Sequence, residues 1–183
     1  MRSALILLTL GLLLAGCGGG DTASDADQAT ASSVTDASNP YEPGTLEWAA
    51  AGPWRLNPER DTWRHPLDTL RFFEVQPDEK VVEIWPGDGW YTSLLAPYLK
   101  AGGGSLTVAV FDPEGAPPAV QAARDSFTRR FADTNTFGTL TEAPFGPNAK
   151  PPGPANSADV VLTFRNVHNW MAQGWAEKAF ADM

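Results

Sequence analysis

The sequence predicts an α/β fold built on a mostly parallel sheet with helices on both faces. Three observations predict it. Short apolar runs rich in β-branched residues over 80–85, 105–111 and 158–164 have the length and composition of buried strands. The stretches at 90–99 and 119–131 carry apolar residues at helical spacing. Strands and helices alternate, which implies right-handed crossovers and parallel pairing. With 183 residues, 43% of them hydrophobic, the chain is long enough for one domain with a real core.

From the amino terminus, Arg2 is followed by a nearly continuous Leu, Ile and Ala run from Ala4 to Ala15. That run is shorter than the ~20 residues a bilayer span needs, but it suits the core of a signal peptide. It ends in Leu14-Ala15-Gly16-Cys17, which resembles the bacterial lipobox. The resemblance implies that 1–16 is a lipoprotein signal peptide and that Cys17 is diacylated. Several acyl tails give a stable membrane anchor, so the expected location is the bacterial cell envelope, periplasmic or outer surface. Residues 17–40 contain Gly, Ala, Ser, Thr and Asp but no Lys or Arg, and read as a flexible tether. The domain proper is expected over 41–183.

Within it, Thr45 reads as the N-cap of a short helix to Ala51, stopped by Gly52-Pro53. Residues 57–61 are turn-like. Pro66 fits the first turn of a helix through Leu67, Leu70 and Phe73. After the loop 76–79, the strand 80–85 is broken by Pro86-Gly87-Asp88-Gly89, and a helix follows over 90–99, with a turn over 101–104. The second strand, 105–111, closes at Asp112-Pro113. The helix 119–131 places Val120, Ala123 and Phe127 on one stripe. A weak third strand is expected over 136–141, a Pro/Gly-rich loop over 144–154, a fourth strand over 158–164 and a helix over 169–183. In that last helix Trp175, Ala179 and Phe180 form an apolar stripe reaching the final residue without a cap. With four strands visible, the fold reads as incomplete at its C-terminus, short by roughly 80 to 100 residues if further strand–helix units follow.

Composition excludes several functions. Thirteen Lys and Arg against 22 Asp and Glu give a net charge of −9, contrary to what nucleic-acid binding requires. The same balance argues against a polybasic contact with lipid. One Cys and two His cannot build a disulfide framework or a Cys/His zinc cluster, so no metal is expected. Oligomeric state is not legible.

The segment Val82-Glu83-Ile84-Trp85-Pro86-Gly87-Asp88-Gly89-Trp90-Tyr91 joins a strand, a glycine turn and a helix. In open α/β folds this arrangement places a ligand at the carboxyl edge of the sheet. A dinucleotide fingerprint counted from Gly87 would need Gly or Ala where Thr92 stands, which disfavours a nicotinamide oxidoreductase. No Gly-Lys-Ser/Thr follows, so it is not a phosphate loop.

An apolar strand, an acid at Glu83, then Gly87 and Gly89 resemble the first motif of class I S-adenosylmethionine-dependent methyltransferases, with Trp85 in place of the usual first glycine. Asp112, ending the next strand, matches the acid that holds the ribose hydroxyls in that family. Asp159 to Asn166 resembles its fourth strand. Arg60-Asp61, Arg64-His65-Pro66, Glu83 to Gly87, Gly89 to Thr92 and Phe164 to Trp170 are together similar to a bacterial family of exported predicted methyltransferases, over about Leu46 to the end. The resemblance implies a Rossmann-like fold, S-adenosylmethionine as cofactor, and a cofactor site at Glu83, Pro86, Gly87, Gly89, Tyr91, Asp112 and Asn166.

Each residue also has a structural reading. Glu83 can organise the loop or meet an Arg, Gly87 and Gly89 can form a bare turn, and Asp112 can start a turn before Pro113. His168 is a candidate general base because an unperturbed imidazole titrates near neutrality, or else a hydrogen-bonded organiser. His65 reads as structural, and Arg60, Asp61 and Arg64 as an ion-paired lid. Trp85, Trp90, Tyr91 and Trp170 are core residues or faces for a sulfonium. The function expected is that of a methyltransferase-like lipoprotein with unknown acceptor. Export puts the domain where this cofactor is not expected to be supplied, so the alternative is a non-catalytic Rossmann-like lipoprotein that binds another small molecule.

Overall fold

The computed structural model describes residues 39–112 and 116–183. The signal peptide, Cys17 and nearly all of the tether lie outside the described residues, as does Pro113. Among the described residues no helix is long and apolar enough to cross a membrane.

Thr45 caps α1 (Leu46–Ala51) by accepting from the Trp48 N–H. A 3₁₀ turn (Pro58–Arg60) leads into α2 (Asp61–Arg64), and His65, with φ 44°, turns the chain into α3 (Pro66–Phe72). The segment expected as a plain turn over 57–61 is thus the entry to a short helix that the sequence reading did not contain. Strand β1 (Lys80–Ile84) precedes α4 (Thr92–Gly102), and β2 (Ser105–Phe111) precedes α5 (Pro118–Arg130). Then come α6 (Thr134–Phe137), β3 (Thr141–Phe145), β4 (Val160–Thr163), α7 (Val167–Ala172) and α8 (Ala176–Ala181).

The sheet order is β3-β2-β1-β4, with every neighbouring pair parallel. This is an α/β Rossmann-like fold. Alternation along the strands divides the core. Val81, Leu106, Val108, Val110 and Leu162 face α1, α3, α4 and α5, where Leu70, Leu94, Leu95, Leu99 and Phe127 meet them. Val82, Ile84, Ala109 and Phe145 face the other way, onto Trp170, Trp175 and Ala179 of the α7–α8 region. Helices therefore cover both faces, as predicted.

Three boundaries differ from expectation. The third strand lies at 141–145 and not 136–141, because Asp133 caps a helical turn instead, accepting from the Asn135 N–H and the Thr136 hydroxyl. The strand also enters the stretch expected as a loop. Pro144 is tolerated there because β3 is an edge strand paired only with β2. The final helix is two short ones: Gly174, at φ 76°, lets the Trp175 N–H turn back to the Trp170 carbonyl at 3.0 Å. Helix α4 begins two residues later than expected, at Thr92, and runs to Gly102.

Gly89 is a packing glycine. At φ 86°, a Cβ there would sit 2.3 Å from the Phe131 ring and 3.0 Å from Phe127. We therefore expect Gly89→Ala to destabilise the fold by about 3 kcal/mol, combining overpacking with left-handed strain. Urea denaturation checks this, and a loss below about 1 kcal/mol would contradict the geometry.

Candidate active site

The chain leaves β1 through a left-handed residue, Trp85, at φ 49°. Non-glycine residues rarely take this conformation, at a cost of about 1–2 kcal/mol. The indole is held on several sides. Its N–H donates to the Phe145 carbonyl at 3.1 Å, its face stacks on Phe111 at 3.9 Å, and its edges meet Trp170 and Trp175. Trp85 thus takes a backbone conformation that favours glycine while its ring fills the core beneath.

Asn166, just beyond β4, ties this exit down. Its amide Nδ2 reaches the carbonyls of Ile84 at 3.0 Å and Trp85 at 3.3 Å, and the Thr163 hydroxyl at 3.1 Å. Ile84 belongs to the last ladder pair of β1 and β4 and Trp85 follows it, so the side chain takes over from backbone pairing where the ladder ends.

Two concavities flank the bend. One, of about 400 Å³, lies on the β4 side and is lined by Glu83, Pro86, Gly87, Tyr91, Asn166 and His168 together with Arg60, Arg64 and Arg165. The other, an apolar slot of about 300 Å³, lies on the β2 side between Trp85, Gly87 and Phe111 and the α5 residues Ala119, Val120 and Ala123. The stripe read on α5 therefore faces this slot, with Phe127 alone fully packed. Gly87 sits at φ 62°, and a Cβ added there would meet nothing within 4 Å, so its backbone is open to a ligand. A larger cavity of about 700 Å³ is lined by 73–76 and Glu79, before β1. It lies at the amino end of the sheet, away from the edge where such folds bind ligands.

Glu83 is 2% exposed and accepts from the Thr92 hydroxyl at 2.6 Å. Burial pushes its carboxyl up to about 7, against the lowering effect of that hydrogen bond. Tyr91 stacks on Phe164 at 3.7 Å, and burial raises its phenol against the Thr69 hydroxyl beside it. Partial burial, then the charges of Arg60 and Arg165, lower the Arg64 guanidinium.

Glu83, Pro86, Gly87, Tyr91, Asn166 and His168 thus share one cleft. Gly89 does not: it is buried against Phe131 and lines neither concavity. Asp112 follows Phe111 at the end of β2 and is not among the residues lining either concavity. His168 is exposed at the cleft, while His65 lies outside it, 3.9 Å from Asp68. The expected ion-paired lid is different too. Asp61 pairs with Arg55, at 2.8 and 3.2 Å, and not with Arg60 or Arg64. Those two instead lie over Trp90, 5.6 and 5.4 Å from its centroid, with Arg55 at 5.5 Å. Trp90 is therefore occupied by the protein's own cations, and Trp170, fully buried, offers no face to a ligand. The sequence reading missed Phe111 and Arg165. Phe111 ends a strand and stays 47% exposed, a signal visible only as an aromatic next to the closing Asp-Pro.

The raised carboxyl of Glu83 sets a pH dependence. As pH rises past 4.5 the unfolded chain gives up this proton first, while the folded chain keeps it to about 7. Stability contributed at this position therefore falls over that interval and stays lowered above it. Glu83→Gln, which still accepts from Thr92, should be more stable than the parent at about pH 8 by up to about 3 kcal/mol and equal to it near pH 4. Urea melts at the two pH values check this, and equal stability at the higher one would contradict it.

Compared with protein-family models and with curated proteins, the chain matches none.

Proposed function

We propose that the protein binds S-adenosylmethionine across the Gly87 bend and transfers its methyl group to a small acceptor. The observation that carries this is the open, left-handed Gly87 backbone between an apolar slot and a polar cleft that holds a buried acid. The slot between Phe111, Trp85 and α5 suits a flat purine, which gains stacking and apolar burial. The ribose would then lie near the end of β2, where Asp112 could receive its hydroxyls. The polar cleft takes the amino-acid end and sulfonium beside Glu83.

The bound cofactor supplies an electrophilic methyl: the acceptor's lone pair attacks carbon, the carbon–sulfur bond breaks, and its electrons stay on sulfur as a neutral thioether. The chain's part is mainly orientation. Gly87 admits the ligand to the backbone, Asn166 fixes the strand ends that shape the cleft, and Glu83 answers positive charge. His168, exposed at the cleft, is placed to take the acceptor's proton.

A second reading, a ligand-binding protein of the same fold without transfer, is favoured by one observation. Asn166 commits its amide N–H groups to backbone and to Thr163, leaving them closed to an acceptor.

Calorimetry of the full chain in non-ionic detergent, with S-adenosylmethionine, S-adenosylhomocysteine and NAD, tests the assignment. We expect the first two to bind and NAD not to. A cation beside Glu83 draws it into the ionised form, so S-adenosylmethionine binding near pH 7 should release a proton and give a buffer-dependent heat. Silence toward both sulfur compounds would end the cofactor reading; binding without any methylated product would favour the second. Gly87→Ala should weaken S-adenosylhomocysteine about tenfold while costing only about 1 kcal/mol of stability, because the added methyl meets ligand and not protein.

A further inference from the structure

Three guanidiniums, Arg60, Arg64 and Arg165, line the cleft of a chain that has 13 cationic side chains against 22 acidic ones. The other arginines among the described residues have protein partners: Arg55 pairs with Asp61, Arg71 with Glu47 and Asp68, and Arg124 with Glu142, while Arg129 donates to the Ser126 hydroxyl and Arg130 to the Asp88 carbonyl. Among the described residues, none of the three cleft guanidiniums has a carboxylate within 4.0 Å, and none donates a hydrogen bond to a protein acceptor. The nearby acids do not compensate. Glu83 is turned to Thr92, and the Asp88 carboxylate, also at the cleft, lies within 4.0 Å of none of the three guanidiniums.

What holds Arg60 and Arg64 is the Trp90 ring, which attracts a guanidinium while leaving N–H groups for another partner. Arg64 also feels the charges of Arg60 and Arg165 at a level that disfavours its own, a cost that an anion in the cleft would relieve. Planar guanidinium forks suit the paired oxygens of a carboxylate or phosphate.

We propose that Arg60, Arg64 and Arg165 dock an oxyanion, carboxylate or phosphate, carried by the molecule that receives the methyl group. Assigning the anion to a methyl acceptor rests on the cofactor reading above; the anion site itself rests on the arginines. An anionic group held there places the rest of a small acceptor inside the same cleft as Glu83, Gly87 and His168.

The test titrates inorganic phosphate, and in a parallel arm acetate, into the full chain in non-ionic detergent, followed by tryptophan fluorescence. Each titration is run alone and with S-adenosylhomocysteine at saturation. We expect at least one anion to bind, with an affinity that S-adenosylhomocysteine changes by less than about twofold. Arg64→Ala and Arg165→Ala should each weaken it about tenfold. Arg165 makes no ring contact of the kind that seats the other two, so its variant keeps the Trp90 packing and separates anion loss from misfolding. Arg165→Lys should recover most of the affinity, and S-adenosylhomocysteine binding should be unchanged in Arg165→Ala. No binding of either anion, or binding indifferent to all three arginines, overturns the proposal. Displacement of the anion by S-adenosylhomocysteine also overturns it, giving the arginines to the cofactor's own carboxylate. Arginine-dependent anion binding with no S-adenosylhomocysteine binding keeps the anion site and removes the cofactor reading and the acceptor assignment together.

Discussion

The backbone at Trp85 must turn left-handed for the chain to pass from β1 over the edge of the sheet, and a tryptophan performs that turn. Glycine does so without steric cost; tryptophan does so only because its ring is trapped. Phe111 stacks from β2, Phe145 accepts its N–H from β3, and Trp170 and Trp175 close from the α7–α8 side. The strain of one residue is thus offset by contacts from β2, β3 and the α7–α8 region. The same contacts aim Gly87 outward and separate the apolar slot from the polar cleft. Loss of the indole would relax the backbone and remove the wall between the two.

The second organising constraint is charge. The chain is strongly acidic, yet its carboxyl-edge cleft combines three guanidiniums with one buried carboxyl that favours its proton. The arrangement stays tolerable because the charges are placed differently. Glu83 lies on the strand, deep and bonded to Thr92, while Arg60 and Arg64 stand on an indole that accepts cations without neutralising them. Arg55 shows the contrast: it approaches the same ring but is neutralised by Asp61 and buried. One aromatic side chain therefore supports both a structural ion pair and two guanidiniums turned to the cleft.

Much of this was legible in local pattern. Apolar β-branched runs gave three of the four strands close to their observed bounds, and Thr45, Pro66 and Gly52 marked helix ends by chemistry that acts within a few residues. The third strand was misplaced because Asp133, Thr136 and Gly138 favour a capped turn, and Pro144 argues against a strand unless its edge position is known. The two glycines of the bend looked equivalent. They differ because Phe131, forty-odd residues away, lies against Gly89 while Gly87 faces open space.

By itself the sequence determined the parallel α/β architecture, the glycine bend after the first strand and the acid placed before it, since spacing and turn chemistry are properties of neighbouring residues. The tertiary structure alone decided which arginines are paired, which tryptophans are walls and which are core, and which glycine serves packing. Those outcomes depend on contacts such as Trp85 with Phe145, 60 residues apart, and Asn166 with Ile84, 82 apart. No local pattern encodes them, because each is settled by which surfaces the packed sheet brings face to face.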